Sequence, residues 1–95
     1  MRKTTVVNKR TTKSKYVYIG RGSVFGNRYH IGKDGDREEV IRKYRLWFYG
    51  QLDDPVFKKA VMELRGKALG CYCAPLDCHG DIIAEYLNNL EDDDG

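Results

Sequence analysis

Residues 67–83 read KALGCYCAPLDCHGDII, and this stretch decides the fold. Lys67 to Cys73 is a compact apolar run, which is typical of a buried strand. Pro75 ends the strand, because proline has no N–H to donate to a neighbouring strand. A helix is predicted next, from apolar residues at helical spacing: Ile82, Ile83, Tyr86, Leu87 and Leu90. Open α/β sheets bind ligands beyond the carboxyl ends of their strands, so the intervening segment Cys71 to Asp81 is a candidate site.

Two short β-branched and aromatic runs predict further strands, Thr4 to Val7 and Tyr16 to Ile19. Gly20 to Gly35 then forms a long loop with five glycines, in which Tyr29 to Ile31 is a candidate for a brief extra strand. Loops of this length in small domains are usually functional. This loop would open on the same edge as Cys71 to Asp81 if the strands before the two segments are parallel neighbours.

Two more helices are predicted between the loop and the buried strand. Asp36 and Glu39 resemble a capping box, and a helix from there to about Tyr49 would bury one apolar face. Asp54-Pro55 begins a second helix, which Gly66 ends. We therefore predict one α/β domain over residues 1–90, a two- or three-layer Rossmann-like sheet of about three to four strands with about three helices. Residues 91–95 are predicted to be an acidic disordered tail.

The composition is that of a soluble globular protein, with 33% charged residues in a chain of 95. No apolar run has the length of a membrane span, so we expect a cytoplasmic protein. The three cysteines lie between positions 71 and 78. An odd, crowded set does not make a disulfide framework and fits a reducing compartment.

Charge is distributed unevenly along the chain. Residues 1–35 contain nine Lys or Arg and one acid, whereas residues 36–95 contain eight Lys or Arg and thirteen acids. A basic block of this kind usually faces a polyanion, either nucleic acid or a phosphorylated small molecule. A solvated basic strand pair would give the same pattern.

The glycine-rich loop contains the candidate ligand-binding residues Arg21, Ser23, Gly26 and Asn27. Glycines allow backbone N–H groups to approach an anion, and an arginine can bind phosphate or carboxylate through two hydrogen bonds. Neither the P-loop nor the dinucleotide-binding pattern is present. The alternative is a tight structural turn. Arg37 opposes the dipole of the helix that it begins, and this too suggests a ligand.

Cys78, His79 and Asp81 are the candidate catalytic residues. A helix N-terminus attracts phosphate and lowers the pKa of a thiol, so Cys78 could be a thiolate nucleophile, with His79 or Asp81 transferring protons. Cys73 shares a strand face with Cys71 and is a further ligand-binding candidate. Cys71 itself is most simply a small buried hydrophobe.

A zinc site is the alternative for this cluster, with Cys71, Cys73, Cys78 and His79 as ligands. The ligand types are right, but the spacing is not that of a standard zinc knuckle. Adjacent helical residues such as Cys78 and His79 would also point about 100° apart.

Three motifs carry a family resemblance. They are Tyr18-Ile19-Gly20-Arg21-x-Ser23-x-Phe25-Gly26-Asn27, Asp34-Gly35-x-Arg37-Glu38, and Gly66-Lys67-x-Leu69-x-Cys71-x-Cys73-x-Pro75-x-x-Cys78-His79-Gly80-Asp81. Together they resemble a small domain family of unknown function that is common in phages and bacteria, over about Val17 to Leu87. Arg28 departs from the family pattern, which often has proline there. The resemblance implies the same site residues but no known reaction.

The leading hypothesis is a phage-encoded protein that binds a nucleotide or nucleotide-derived ligand between the Arg21 loop and the last helix. An extension of this hypothesis is that the protein cleaves or modifies the ligand. One alternative is a non-catalytic module that binds nucleic acid or a host protein through its basic N-terminal third. The other is a zinc-stapled interaction domain. The sequence leaves the ligand, any reaction and the oligomeric state open.

Overall fold

The computed structural model describes residues 3–13, 15–72 and 78–94. Its three strands are β1 (Thr5–Asn8), β2 (Val17–Tyr18) and β3 (Ala68–Cys71). They form one open sheet in the order β1-β3-β2, with β3 in the centre and both pairings parallel. Because β2 and β3 are parallel neighbours, the chain segments that follow them begin at the same edge of the sheet, as the predicted site requires.

The three helices are α1 (Arg37–Gln51), α2 (Pro55–Met62) and α3 (His79–Asp94). Asp36 caps α1 by accepting a hydrogen bond from the Glu39 N–H at 2.9 Å, as predicted. The reciprocal half of the capping box is missing, because the Glu39 carboxylate binds Arg42 instead. Asp54 caps α2 through the Val56 N–H. A small α/β domain with three helices and a three-stranded sheet is therefore confirmed.

Several element boundaries differ from the prediction. Tyr29 to Ile31 is not a strand, because the His30 N–H binds the Asp34 carboxylate and the chain turns locally. α2 ends at Met62 rather than near Gly66, and turn hydrogen bonds lead from there to β3. α3 continues past Leu90 as far as Asp94, since each residue added to an anchored helix gains one backbone hydrogen bond.

The helices pack against one face of the sheet. Side chains alternate between the faces of a strand, and Val6, Leu69 and Ile19 lie on the face that contacts the helical core. A Cβ added at Gly80 in α3 would collide with Ile19 and approach Val6, so the start of α3 lies directly on this face. We call the opposite surface, with Thr5, Val7, Ala68, Gly70, Tyr16 and Tyr18, the open face.

An amide clamp joins β1 to α3. Asn88 Oδ1 accepts from the Thr4 N–H at 2.9 Å, and Asn88 Nδ2 donates to the Thr4 carbonyl at 3.0 Å. The Thr4 hydroxyl in turn accepts from the Gly66 N–H. A single buried threonine therefore connects the entry to β1, the entry to β3 and the last helix. Among the described residues, no helix is both long and apolar enough to cross a lipid bilayer.

Candidate functional site

A cavity of about 550 Å³ lies at the carboxyl edge of the sheet. Both segments singled out in the sequence contribute to it, Arg21 and Asn27 from the glycine-rich loop and Cys78 and His79 from the start of α3. Arg37, at the first turn of α1, lines the cavity as well. The strand order explains this meeting, because β2 and β3 are parallel neighbours and their carboxyl ends open on one edge.

The charge that lines the cavity is positive. Arg21 and Arg37 are the charged side chains among its described lining residues, and no Asp or Glu is among them. The Arg21 guanidinium donates to Nδ1 of His30 at 2.7 Å, which holds it at the cavity rim. An anion entering here would meet guanidinium donors and no described carboxylate in the lining.

Ser23 and Gly26 shape the loop and do not line the cavity. The Ser23 hydroxyl donates to the Gly20 carbonyl at 2.7 Å, closing a turn. A Cβ at Gly26 would stand 2.7 Å from the same carbonyl oxygen, so only glycine fits without a shift. Both residues take part in folding the loop, and the ligand contact expected of them stays a prediction. Asn27 remains at the cavity, with its Oδ1 accepting from the Tyr29 N–H.

His79 links the two loops. Its Nε2 lies 2.7 Å from the Ile19 carbonyl, which can only accept, so Nε2 carries the proton and Nδ1 carries the lone pair of the neutral ring. Burial lowers the pKa of His79, although the Ile19 carbonyl partly opposes this by favouring the charged form. The ring also packs edge-on against Tyr44, at 5.1 Å between centroids. His79 is therefore a buried, oriented and neutral imidazole.

Cys71 and Cys78 form a close thiol pair, with 3.1 Å between their sulfur atoms. The hydrogen bond with Cys71 and then burial raise the pKa of the Cys78 thiol. The Gly80 N–H donates to the Cys78 sulfur at 3.3 Å and acts in the opposite direction, but it is the weaker influence. The prediction of a lowered thiol pKa at Cys78 was wrong, because the neighbouring thiol and the apolar core outweigh the helix N-terminus.

Asp81 caps the helix rather than facing the cavity. Its carboxylate accepts from the Cys78 N–H at 3.0 Å, and its side chain is exposed outside the lining. This is the reciprocal half of a capping box, in which the third helical residue binds the N-cap N–H. The capping bond gives Asp81 a structural role, and its charge also acts on Cys78 and His79, where it raises the pKa of each.

The zinc alternative remains untested. Among the described residues, no group of three or more His, Cys, Asp or Glu could hold a metal ion. Cys73, one of the four candidate ligands, lies outside those residues. The 3.1 Å between the two described sulfurs is shorter than the separation on tetrahedral zinc, which is about 3.8 Å for bonds of about 2.3 Å.

Comparisons with known proteins place this chain in a family. The family described as "Domain of unknown function (DUF4326)" matches residues 4–89. The chain belongs to this family. It is also 46% identical over 92 residues to "Uncharacterized 12.4 kDa protein in nrdA-td intergenic region" of Enterobacteria phage T4, covering 94% of this chain and 82% of that protein. No solved structure matches the chain. The expected resemblance to a small phage domain family of unknown function is confirmed.

Sequence reasoning missed the aromatic part of the site in this DUF4326 chain. Tyr18, Tyr29 and Tyr72 line the cavity, as does His30. Tyr18 ends β2 and Tyr72 follows β3, so both are brought to the carboxyl edge of the sheet once the strands pair in parallel. Their positions at strand ends were the available signal, whereas Tyr29 and His30 depend on how the loop turns back.

Proposed function

We propose that the cavity binds a nucleotide or a phosphorylated nucleotide-derived ligand. The observation that carries this proposal is the combination of Arg21, Arg37 and tyrosines in one cavity with no described acidic lining residue. Its volume of about 550 Å³ falls within the range of about 300–1,000 Å³ that is usual for small-molecule sites. A two-layer, Rossmann-like arrangement, with helices on one face of the sheet and the ligand bound at its carboxyl edge, is part of the proposal.

The charged end of the ligand belongs at the arginines. A guanidinium matches phosphate oxygens with parallel N–H donors, and a partly enclosed site strengthens such bonds. Arg21 already points a donor nitrogen at His30, so a phosphate can replace the imidazole as its acceptor. Asn27, whose Oδ1 is engaged by the Tyr29 N–H, would offer its amide N–H group to a ribose hydroxyl.

The apolar end of the ligand belongs at the tyrosines. Tyr18 and Tyr72 reach the cavity from neighbouring strands, and Tyr72 is 49% exposed. Aromatic rings provide stacking surface for a base of any identity. The tyrosines therefore support binding of nucleotides in general and do not favour one base.

If the ligand is cleaved, His79 is the group suited to take a proton. Its neutral ring is oriented by the Ile19 carbonyl and lines the cavity, whereas the raised pKa of Cys78 keeps that thiol protonated at neutral pH. We also propose, from the phage T4 relative, that the protein acts in the cytoplasm of an infected host cell.

Isothermal titration calorimetry with ADP tests the proposal. Arg21→Ala should weaken binding about tenfold or more, the loss typical of a charged hydrogen bond. Arg45→Ala is the matched control, because Arg45 pairs with Glu85 and does not line the cavity. Circular dichroism should show both variants folded. ADP binding that is absent, or equally reduced by both substitutions, would contradict the proposal.

A further inference from the structure

A second surface adjoins the cavity at Tyr18 and Tyr72 and extends from there over the open face of the sheet. The strand segments 3–13, 15–20 and 66–72 contain six Lys or Arg and no Asp or Glu. On the open face these segments form a groove of about 550 Å³, and Lys3, Lys15 and Lys67 are among its lining residues. At the other end of this face, Lys9 lies 4.6 Å from the Tyr18 ring centroid, and Arg10 lies 4.9 Å from that of Tyr72.

Aromatic rings lie along the same face. Tyr16 covers Gly70, since a Cβ at that glycine would collide with the tyrosine ring, and Tyr16 remains 37% exposed. Tyr18 covers Gly20 in the same manner. Each ring is therefore held against backbone on one side, with little freedom left to lose on binding.

We propose that the open face binds single-stranded nucleic acid. Cations that track a phosphate backbone, together with aromatic rings on which bases stack, are the two components of such surfaces. A sheet face with exposed aromatics can stack two or three unpaired bases, which a duplex keeps buried in its own stack. The absence of carboxylates from the described strand segments makes the face complementary to a polyanion along its whole length.

Fluorescence anisotropy with a labelled oligothymidylate of about 15 nucleotides, near the upper site size of a single small domain, tests the proposal. The double variant Lys15→Gln/Lys67→Gln should bind more weakly. Its plot of log affinity against log salt should be shallower by about 1.4, because each lost cation removes about 0.7 from the slope on a single strand. The control Lys58→Gln/Lys59→Gln changes two exposed lysines of α2 and should match the wild type.

The aromatic component has its own pair of variants. Tyr16→Leu should weaken binding about tenfold, since one base loses its stacking partner, whereas Tyr16→Phe should keep wild-type affinity. A duplex of the same length should bind more weakly than the single strand. Equal loss in the α2 control, or a preference for duplex, would overturn the proposal.

A second copy of the chain is the other occupant to test. Sedimentation equilibrium should show a monomer, and a dimer that Tyr16→Leu dissociates would assign the open face to self-association instead. Oligonucleotide binding and ADP binding can be tested separately. Lys15, Tyr16 and Lys67 do not line the cavity, and Arg21 is not on the open face. Arg21→Ala should therefore keep its affinity for the oligonucleotide.

Discussion

The Cys78 thiol should be a poor nucleophile. Hydrogen bonding to Cys71 and burial raise its pKa, and only the thiolate reacts quickly. Iodoacetamide at pH about 7.5 should modify Cys78 more than about tenfold more slowly than free cysteine. Mass spectrometry of the Cys78 peptide measures the rate.

A pair of Cys71 variants separates the two causes. Cys71→Ala removes the hydrogen-bonding partner and should accelerate labelling of Cys78, whereas Cys71→Ser keeps a polar partner and should accelerate it less. Labelling of the wild type as fast as free cysteine would restore the nucleophile hypothesis.

His79 should make folding stability depend on pH. Burial lowers its pKa below the usual 6.5, so the unfolded chain takes up a proton at a pH where the folded chain does not. The stability due to neutral His79 is complete above about pH 6.5 and is lost as the pH falls through the lower folded-state pKa. Urea unfolding at pH about 7.5 and about 5 should therefore show a weaker fold at the acidic pH.

His79→Gln is the informative variant, because its amide can donate to the Ile19 carbonyl but does not titrate. Its stability should change less between the two pH values than that of the wild type. His30→Gln changes the histidine that binds Arg21 and serves as the control. An unchanged pH dependence in His79→Gln would show that carboxylates alone account for the acid effect.

At the scale of secondary structure elements, one side chain, that of Asn88, joins β1 to α3. Asn88→Ala removes both hydrogen bonds to the Thr4 backbone and leaves a part-buried N–H and carbonyl without this partner. We expect a loss of about 2 kcal/mol in the free energy of unfolding, the usual cost of such groups. Urea denaturation measures it, and Asn89→Ala, at an exposed position of the same helix, should lose much less. Equal losses would mean that helix propensity, not the clamp, is responsible.

The helices and strands were predictable where a local pattern defines them. The caps at Asp36 and Asp54 and the apolar face of α1 depend on neighbours in sequence, and the structure has them where predicted. The amide clamp was not predictable, because Thr4 and Asn88 meet only after the sheet has formed. The strand at Tyr29 to Ile31 failed for a related reason, since a side chain in the same loop satisfied the His30 N–H.

The meeting of the two segments at one cavity was predictable, but the roles of their residues were less so. Two segments were expected to meet, and they do, because β2 and β3 are parallel neighbours. The role of Cys78 could not be read from spacing, since its pKa depends on a thiol seven residues earlier that packs against it. The capping role of Asp81 and the loop-closing role of Ser23 are likewise set by backbone groups that a sequence does not locate.

In the molecule as a whole, the aromatic and cationic residues of the open face meet the cavity at Tyr18 and Tyr72. The core lies on the other side of the sheet, where the helices cover it. The sheet thus has the hydrophobic core on one face and the polar surface on the other. Substitutions on the open face should therefore alter the affinity for the oligonucleotide with little effect on the melting temperature of the protein.

The central position of β3 also determines when the protein can form during synthesis. β1 and β2 leave the ribosome early, yet each pairs only with β3 in the described sheet, and β3 follows α1 and α2 in the chain. No strand pair of this sheet can therefore close before β3 has been translated, and until then β1 and β2 have no partner strand in it.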